Sequence, residues 1–187
     1  MNPRTAGFAA LLIGTAAATA GAADTYKVDA VHSAVVFRVK HMNASYAYGR
    51  FNDIAGTFTL DGTAPQSMAF QVKVDSIDTA NAQRDTHLKA ADFFDAAKYP
   101  AIQFESKSVK KAGEAYEVSG DLTLKGVTKP VTAKLEVVGT GKGPTGGAIA
   151  GIEATFVIKR TEFNMPTGAP NMIGDEVRLV VSIEGAK

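Results

Sequence analysis

The chain has 187 residues, 20 Lys and Arg against 19 Asp and Glu, and neither Cys nor Trp. Its 45% hydrophobic and 21% charged content is that of a globular protein of one domain, which excludes disorder and low-complexity architectures. Without Cys there is no thiol chemistry and no disulfide framework, and the balanced charge with no Lys/Arg run argues against a nucleic-acid partner.

Residues 1–22 stand apart. Arg4 is their only charged side chain, and the run from Ala6 to Ala18 is apolar or small. Ala20 and Ala22 suit cleavage after Ala22, and Gly21 and Ala23 suit cleavage after Ala23, so the segment reads as a secretory signal peptide ahead of a single domain over 23–187. The apolar stretch is shorter than the ~20 residues of a bilayer span, so no transmembrane segment is expected in the mature chain. Loss of Arg4 leaves that chain with equal numbers of basic and acidic groups.

From there on, apolar and polar residues alternate with period two, the signature of strands with one buried face. Val35, Phe37 and Val39 form the first run and Phe58 and Leu60 the second; Met68, Phe70, Val72 and Val74 form the third. Ile102 and Phe104 make the fourth, and Tyr116, Val118, Leu122 and Leu124 the fifth. Val131, Ala133, Leu135 and Val137 follow, then Ile152, Ala154, Phe156 and Ile158, and finally Val177, Leu179, Val181 and Ile183. Turn chemistry separates these runs at Asp61-Gly62, Ala112-Gly113 and Lys125-Gly126, and in a glycine-rich loop from Gly139 to Gly147 read as a hairpin tip.

Between the third and fourth runs, Asn81 to Ala97 lacks alternation and carries helix formers. This predicts a short helical insertion capped by Asn81, with a second helix start at Asp92 and Asp95 and a stop at Tyr99-Pro100. Eight such strands can close into a barrel or stack as a sandwich. An all-β, eight-stranded antiparallel barrel is the preferred reading, because the inward Val, Leu, Ile and Phe positions suit a lumen that is either filled or holds one ligand.

Little in the sequence points to catalysis. His32 and His41 are nine apart, which on one regular strand sends them to opposite faces, and His87 has no ligand-spaced partner, so no metal site is expected. There is no G-x-S-x-G elbow, and the Asp75/Asp78 and Asp92/Asp95 pairs read as turn and cap residues. Tyr46, Tyr48 and Phe51 admit two readings: a strand bulged at Gly49 and packed on the core, or a barrel mouth gripping an apolar ligand. Phe93, Phe94 and Tyr99 admit the same pair of readings, the second as a lid.

Several short segments in fixed order resemble the YceI-like domain family. They are Tyr26-Lys27-Val28-Asp29, His32-Ser33-Ala34-Val35-Val36-Phe37, Gly49-Arg50-Phe51 and Gly56-Thr57-Phe58, followed by Gln83-Arg84-Asp85, His87-Leu88, Asp92-Phe93-Phe94-Asp95 and Tyr99-Pro100. Phe104-Glu105-Ser106, Gly120-Asp121-Leu122-Thr123-Leu124-Lys125-Gly126, Arg160-Thr161-Glu162-Phe163 and Ile173-Gly174-Asp175-Glu176-Val177 complete the set, with Asn164 where the family commonly has Gly.

The resemblance implies a lipocalin-like barrel with an elongated apolar cavity, and a secreted, periplasmic carrier of a polyisoprenoid or isoprenoid quinone tail. It implies no catalytic residues, so the protein is expected not to be an enzyme and to require no cofactor. Lining candidates are Phe37, Phe58, Phe70, Phe104, Leu124, Leu135, Phe156 and Leu179; headgroup candidates are His32, Arg84 and His87. A closed barrel serving as a stress-linked interaction module, and a lipid-modifying enzyme, stay open as alternatives, as does pairing of two barrels into a homodimer.

Overall fold

The computed structural model describes residues 23–168 and 171–187; the expected signal peptide and its cleavage lie outside the described residues. The strands are β1 (Asp24–His41), β2 (Ser45–Phe51), β3 (Ile54–Asp61), β4 (Ala64–Lys73), β5 (Ile77–Asp78), β6 (Ala101–Ala112), β7 (Ala115–Leu124), β8 (Val127–Lys142), β9 (Ala148–Lys159) and β10 (Ile173–Ala186). One helix, α1 (Ala82–Lys89), lies between β5 and β6.

Eight strands form a closed antiparallel ring in the order β1, β3, β4, β6, β7, β8, β9, β10, sealed where β10 pairs with β1. Closure satisfies the backbone groups that an open edge would leave unpaired. The barrel, rather than the sandwich, is the architecture. β2 and β5 are additional. β1 is long enough to pair with β3 through Asp24–Lys27 and with β2 through Val35–His41, and β2 in turn carries the two residues of β5.

The inward phase follows the alternation: Val35, Phe58, Leu60, Val72, Val118, Leu122, Leu135, Ile152, Ile158 and Ile183 are all buried. One end is plugged. Tyr26 and Phe58 stack with ring centroids 5.3 Å apart above Leu60, and Gly185 makes room for them, since a Cβ there would lie 2.7 Å from the Phe58 ring.

Three local expectations are corrected. The β1–β2 register runs unbroken from Val35↔Phe51 to His41↔Ser45, so there is no bulge at Gly49. Gly49 serves close approach instead: the Phe37 ring occupies the space its Cβ would need, at 2.3 Å. The glycine-rich loop is shorter than expected, because Gly139 and Gly141 continue β8 and only Gly143–Gly147 form the turn. Asp92 and Asp95 start no second helix; Asp95 takes a left-handed φ of 51° and its N–H returns to Ala90 O, closing a series of turns. The first cap holds, with Asn81 Oδ1 accepting from Arg84 N at 2.9 Å.

A real irregularity sits at Ala30–Ser33, where β1 carries four residues against Ile183 alone on β10. Ser33 bridges the gap: its hydroxyl donates to Asp29 O at 2.6 Å and accepts from Glu184 N at 3.1 Å.

Candidate functional site

Opposite the plugged end, the barrel interior opens into an apolar cavity of about 530 Å³, within the usual range for ligand sites. A second chamber of about 90 Å³ lies deeper. Phe51, Ile102, Leu122 and Leu179 border both, forming a waist between them. Neither chamber has an Asp or Glu in its lining.

The insertion after β5 roofs the outer chamber. Leu88, Phe93 and Phe94 face it, Phe94 meets Phe51 edge-on at 5.6 Å, and Phe93 meets the His87 ring at 5.0 Å. Polar ties hold this roof. Arg84 donates from Nε to Thr79 Oγ1 and from Nη2 to Thr79 O, both at 2.7 Å, while Asp85 accepts from Thr79 N at 2.9 Å. Lys125 Nζ donates to Ala91 O at 2.9 Å and Thr167 Oγ1 to Asp92 O at 2.7 Å, joining the roof to the β7–β8 turn and to the segment after β9. His87 Nε2 and Asp92 Oδ2 lie 2.8 Å apart, and that hydrogen bond holds the Asp92 carboxyl below its ordinary range.

The rim on the other side rests on Arg160. Only 5% exposed, it donates from Nε to Gly174 O, from Nη1 to Met165 O and Thr167 O, and from Nη2 to Gly168 O and Ile173 O. All five N–H groups of the guanidinium are thus used. Asn164, with φ 57°, takes the left-handed turn for which Asn is the next best residue to Gly. Burial alone would raise the Asp175 carboxyl, but the Thr161 hydroxyl and N–H donate to it and the nearby Arg160 charge favours its anion, so it is held low.

Of the expected lining residues, Phe37, Leu124 and Leu179 border the outer chamber, and Phe70, Phe104, Leu135, Phe156 and again Leu179 the inner one. Phe58 does not line either, being part of the plug. Arg84 and His87 lie at the outer chamber. His32 is at the far end, on the irregularity of β1, with its Nδ1 2.9 Å from Asp29 Oδ2 and 3.7 Å from Glu184 Oε1. Tyr46, Tyr48, Phe93 and Phe94 border the outer chamber and Phe51 the waist, whereas Tyr99 packs over Gly126. Not expected at the site were Arg160, named only within a family segment, and Met165, Met172 and Thr79. Arg160 had a signal, since it continues the inward phase of Ile152, Ala154, Phe156 and Ile158.

Asp29, His32 and Glu184 are the one group among the described residues whose ligand atoms lie close enough to share a metal ion, within 4.8 Å of one another. Both carboxylates approach the same ring nitrogen, the arrangement of an imidazolium between two acids. The Asp29 hydrogen bond and charge, aided by Glu184, raise the His32 pKa; His32 and the N–H of Val31 lower that of Asp29. The His32 contribution to stability is therefore full below the ordinary value of about 6.5 and is lost as pH rises through the higher folded value. The Asp29 contribution is present above about 3.8 and is lost as pH falls through its lower folded value. An NMR titration should place the His32 midpoint above 6.5 in the wild type and return it toward about 6.5 in Asp29→Asn; an unchanged midpoint in the variant would discard the pairing.

A closed antiparallel barrel with a roofed apolar interior defines the lipocalin-like class of β-barrel proteins. Within that class, residues 26–185 match the YceI-like domain model, and the chain belongs to that family. Protein YceI of Escherichia coli O157:H7 is 45% identical over 184 residues, covering 96% of this chain and 94% of that protein. Among solved structures, Burkholderia cenocepacia BcnA aligns with a TM-score of 0.76 at 26% identity, covering 84% of this chain and 98% of BcnA. A polyisoprenoid binding domain from Saccharophagus degradans, implicated in plant cell wall breakdown, shares the fold with a TM-score of 0.67 at 18% identity, covering 86% of this chain and 97% of that domain.

Proposed function

We propose that the protein is a secreted, periplasmic carrier that holds an elongated apolar lipid, a polyisoprenoid or the tail of an isoprenoid quinone, in the two-chambered lumen. The observation that carries this reading is the pair of apolar chambers inside the barrel, which share Phe51, Ile102, Leu122 and Leu179 in their walls. The polyisoprenoid-binding domain of the same fold supports the choice of ligand class. Burial supplies the affinity: ten to fifteen buried CH₂ equivalents contribute ~8 to 12 kcal/mol, against an association cost of ~4 to 15 kcal/mol. Short prenols therefore bind weakly and longer ones tightly until the lumen is full.

The polar end of the ligand belongs at the mouth, where Lys40, His41, Arg84 and His87 border the outer chamber. Two of the Arg84 donor atoms are already engaged with Thr79, so its role is as much to hold the roof as to meet a headgroup. Mass spectrometry of organic extracts, from protein purified without detergent from its native periplasm, should find a stoichiometric isoprenoid. An empty extract combined with no uptake of added prenols would overturn the carrier reading and favour the closed-barrel interaction module.

A further inference from the structure

We propose that the outer face built by β10, β1 and β2 docks the barrel onto an anionic phospholipid bilayer, mouth edge first. The proposal rests on the carrier reading for its purpose; Arg38, Arg50 and Arg178 line neither chamber, while Lys40, Tyr46 and Tyr48 reach the edge of the outer one. Cross-strand register sets Arg178, Arg38 and Tyr48 side by side on one rung, Lys40 beside Tyr46 on the next toward the mouth, and Val36 beside Arg50 on the rung below. Four cations from three strands thus share one face, a cluster the sequence disperses over 141 positions from Arg38 to Arg178. Two acids border it, Glu176 on β10 and Asp78 opposite Arg50. Even so, the ion pairs among the described residues include none of Arg38, Lys40, Arg50 or Arg178.

Like charges directly opposite one another weaken a sheet, so Arg38 against Arg178 works against the fold unless an anion meets them. Lipid phosphates suit arginine, whose fork binds them through two N–H groups. The apolar groups on this side are those of a membrane interface. Tyr46 and Tyr48 are 51% and 57% exposed, and Met42 and Met172 at the rim are 52% and 45% exposed. Met42 N donates to Met172 O at 2.9 Å, which holds the two rim segments together, and the Arg38 guanidinium lies 4.3 Å over the Tyr46 ring. Tyrosines settle at headgroup depth, and long basic side chains keep their charge among phosphates while their stems lie on apolar surface. Tyr46 and Tyr48 also border the cavity mouth, so a barrel docked on this face opens toward the lipid from which a chain would enter.

The test is co-sedimentation of the purified protein with phosphatidylcholine vesicles, with and without phosphatidylglycerol. Binding is expected only with phosphatidylglycerol and should fall as salt rises. Arg38→Gln with Arg178→Gln, neither of which lines the lumen, should weaken vesicle binding at least about tenfold, at roughly fivefold per charge removed. Arg50→Gln serves as a second, independent variant with a smaller loss. Both variants should take up added prenols like the wild type. Wild-type protein that stays in the supernatant, or variants that bind as well as wild type, would overturn the docking face. Vesicle binding without prenol uptake would leave the docking face standing and remove the carrier reading instead.

Discussion

Replacing Arg160 by Met should cost about 3 to 5 kcal/mol of stability, the scale of losing a buried charged group that satisfies several partners. Five carbonyl oxygens, from Met165, Thr167, Gly168, Ile173 and Gly174, take their hydrogen bonds from this one guanidinium. Met fills similar space but supplies no donor, so partly buried carbonyls are left with only such water as can reach them. For a chain of this size the thermal midpoint should fall by roughly 6 to 20 °C. Arg160→Lys keeps the charge with three donors in place of five and should recover part of the loss. Because Met165 and Ile173 border the outer chamber, affinity for a bound lipid should fall with stability. Differential scanning calorimetry decides it: a shift below about 2 °C would mean the carbonyls find other partners.

The second large effect concerns the inner chamber. In the wild type, each added five-carbon repeat should strengthen prenol binding by up to about 4 kcal/mol, or roughly three orders of magnitude, while apolar lumen remains to be filled. Phe156 borders the inner chamber with Leu135, Phe70 and Phe104. Phe156→Arg places a charge there that an alkyl chain cannot solvate, and the ladder of affinity against chain length should level off earlier, with binding of the longest chains lost. Circular dichroism must show the barrel intact, since the substitution also burdens the fold. Equal affinity of wild type and variant for a long prenol would place the ligand outside the lumen.

Period-two alternation carried most of the architecture, because it reports a property of each strand by itself. Val118, Leu122, Leu135, Ile152 and Ile183 needed no knowledge of their neighbours to be assigned inward. What depended on neighbours was harder to read. Gly49 looks the same in sequence whether it makes a bulge or seats the Phe37 ring, and only the register tells them apart. β5 is two residues long and exists because β2 offers it an edge, so no pattern announces it. Phe58 shares the inward phase of Phe70 and Phe104, yet it stacks on Tyr26 in the plug, because position along the barrel axis is not encoded in alternation. His32 failed to reach the mouth for the same reason. Arg160 was legible in principle: an arginine in phase with four inward apolar residues must end the strand or find a full set of acceptors, and here β9 stops at Lys159 and the guanidinium finds five carbonyls.

The seam between β1 and β10 has a consequence for how the chain reaches this state. The first strand closes on the last, Lys27 against Ala186, and the ion pair of Lys187 Nζ with Asp24 Oδ1 sits at that join. Until β10 has emerged, β1 has only β2 and β3 as partners, and the ring cannot shut. Such long-range closure is slow compared with hairpin formation, because a nearly full-length loop must be ordered before the last ladder rewards it. A growing chain therefore keeps the ring open until β10 is available to pair with β1.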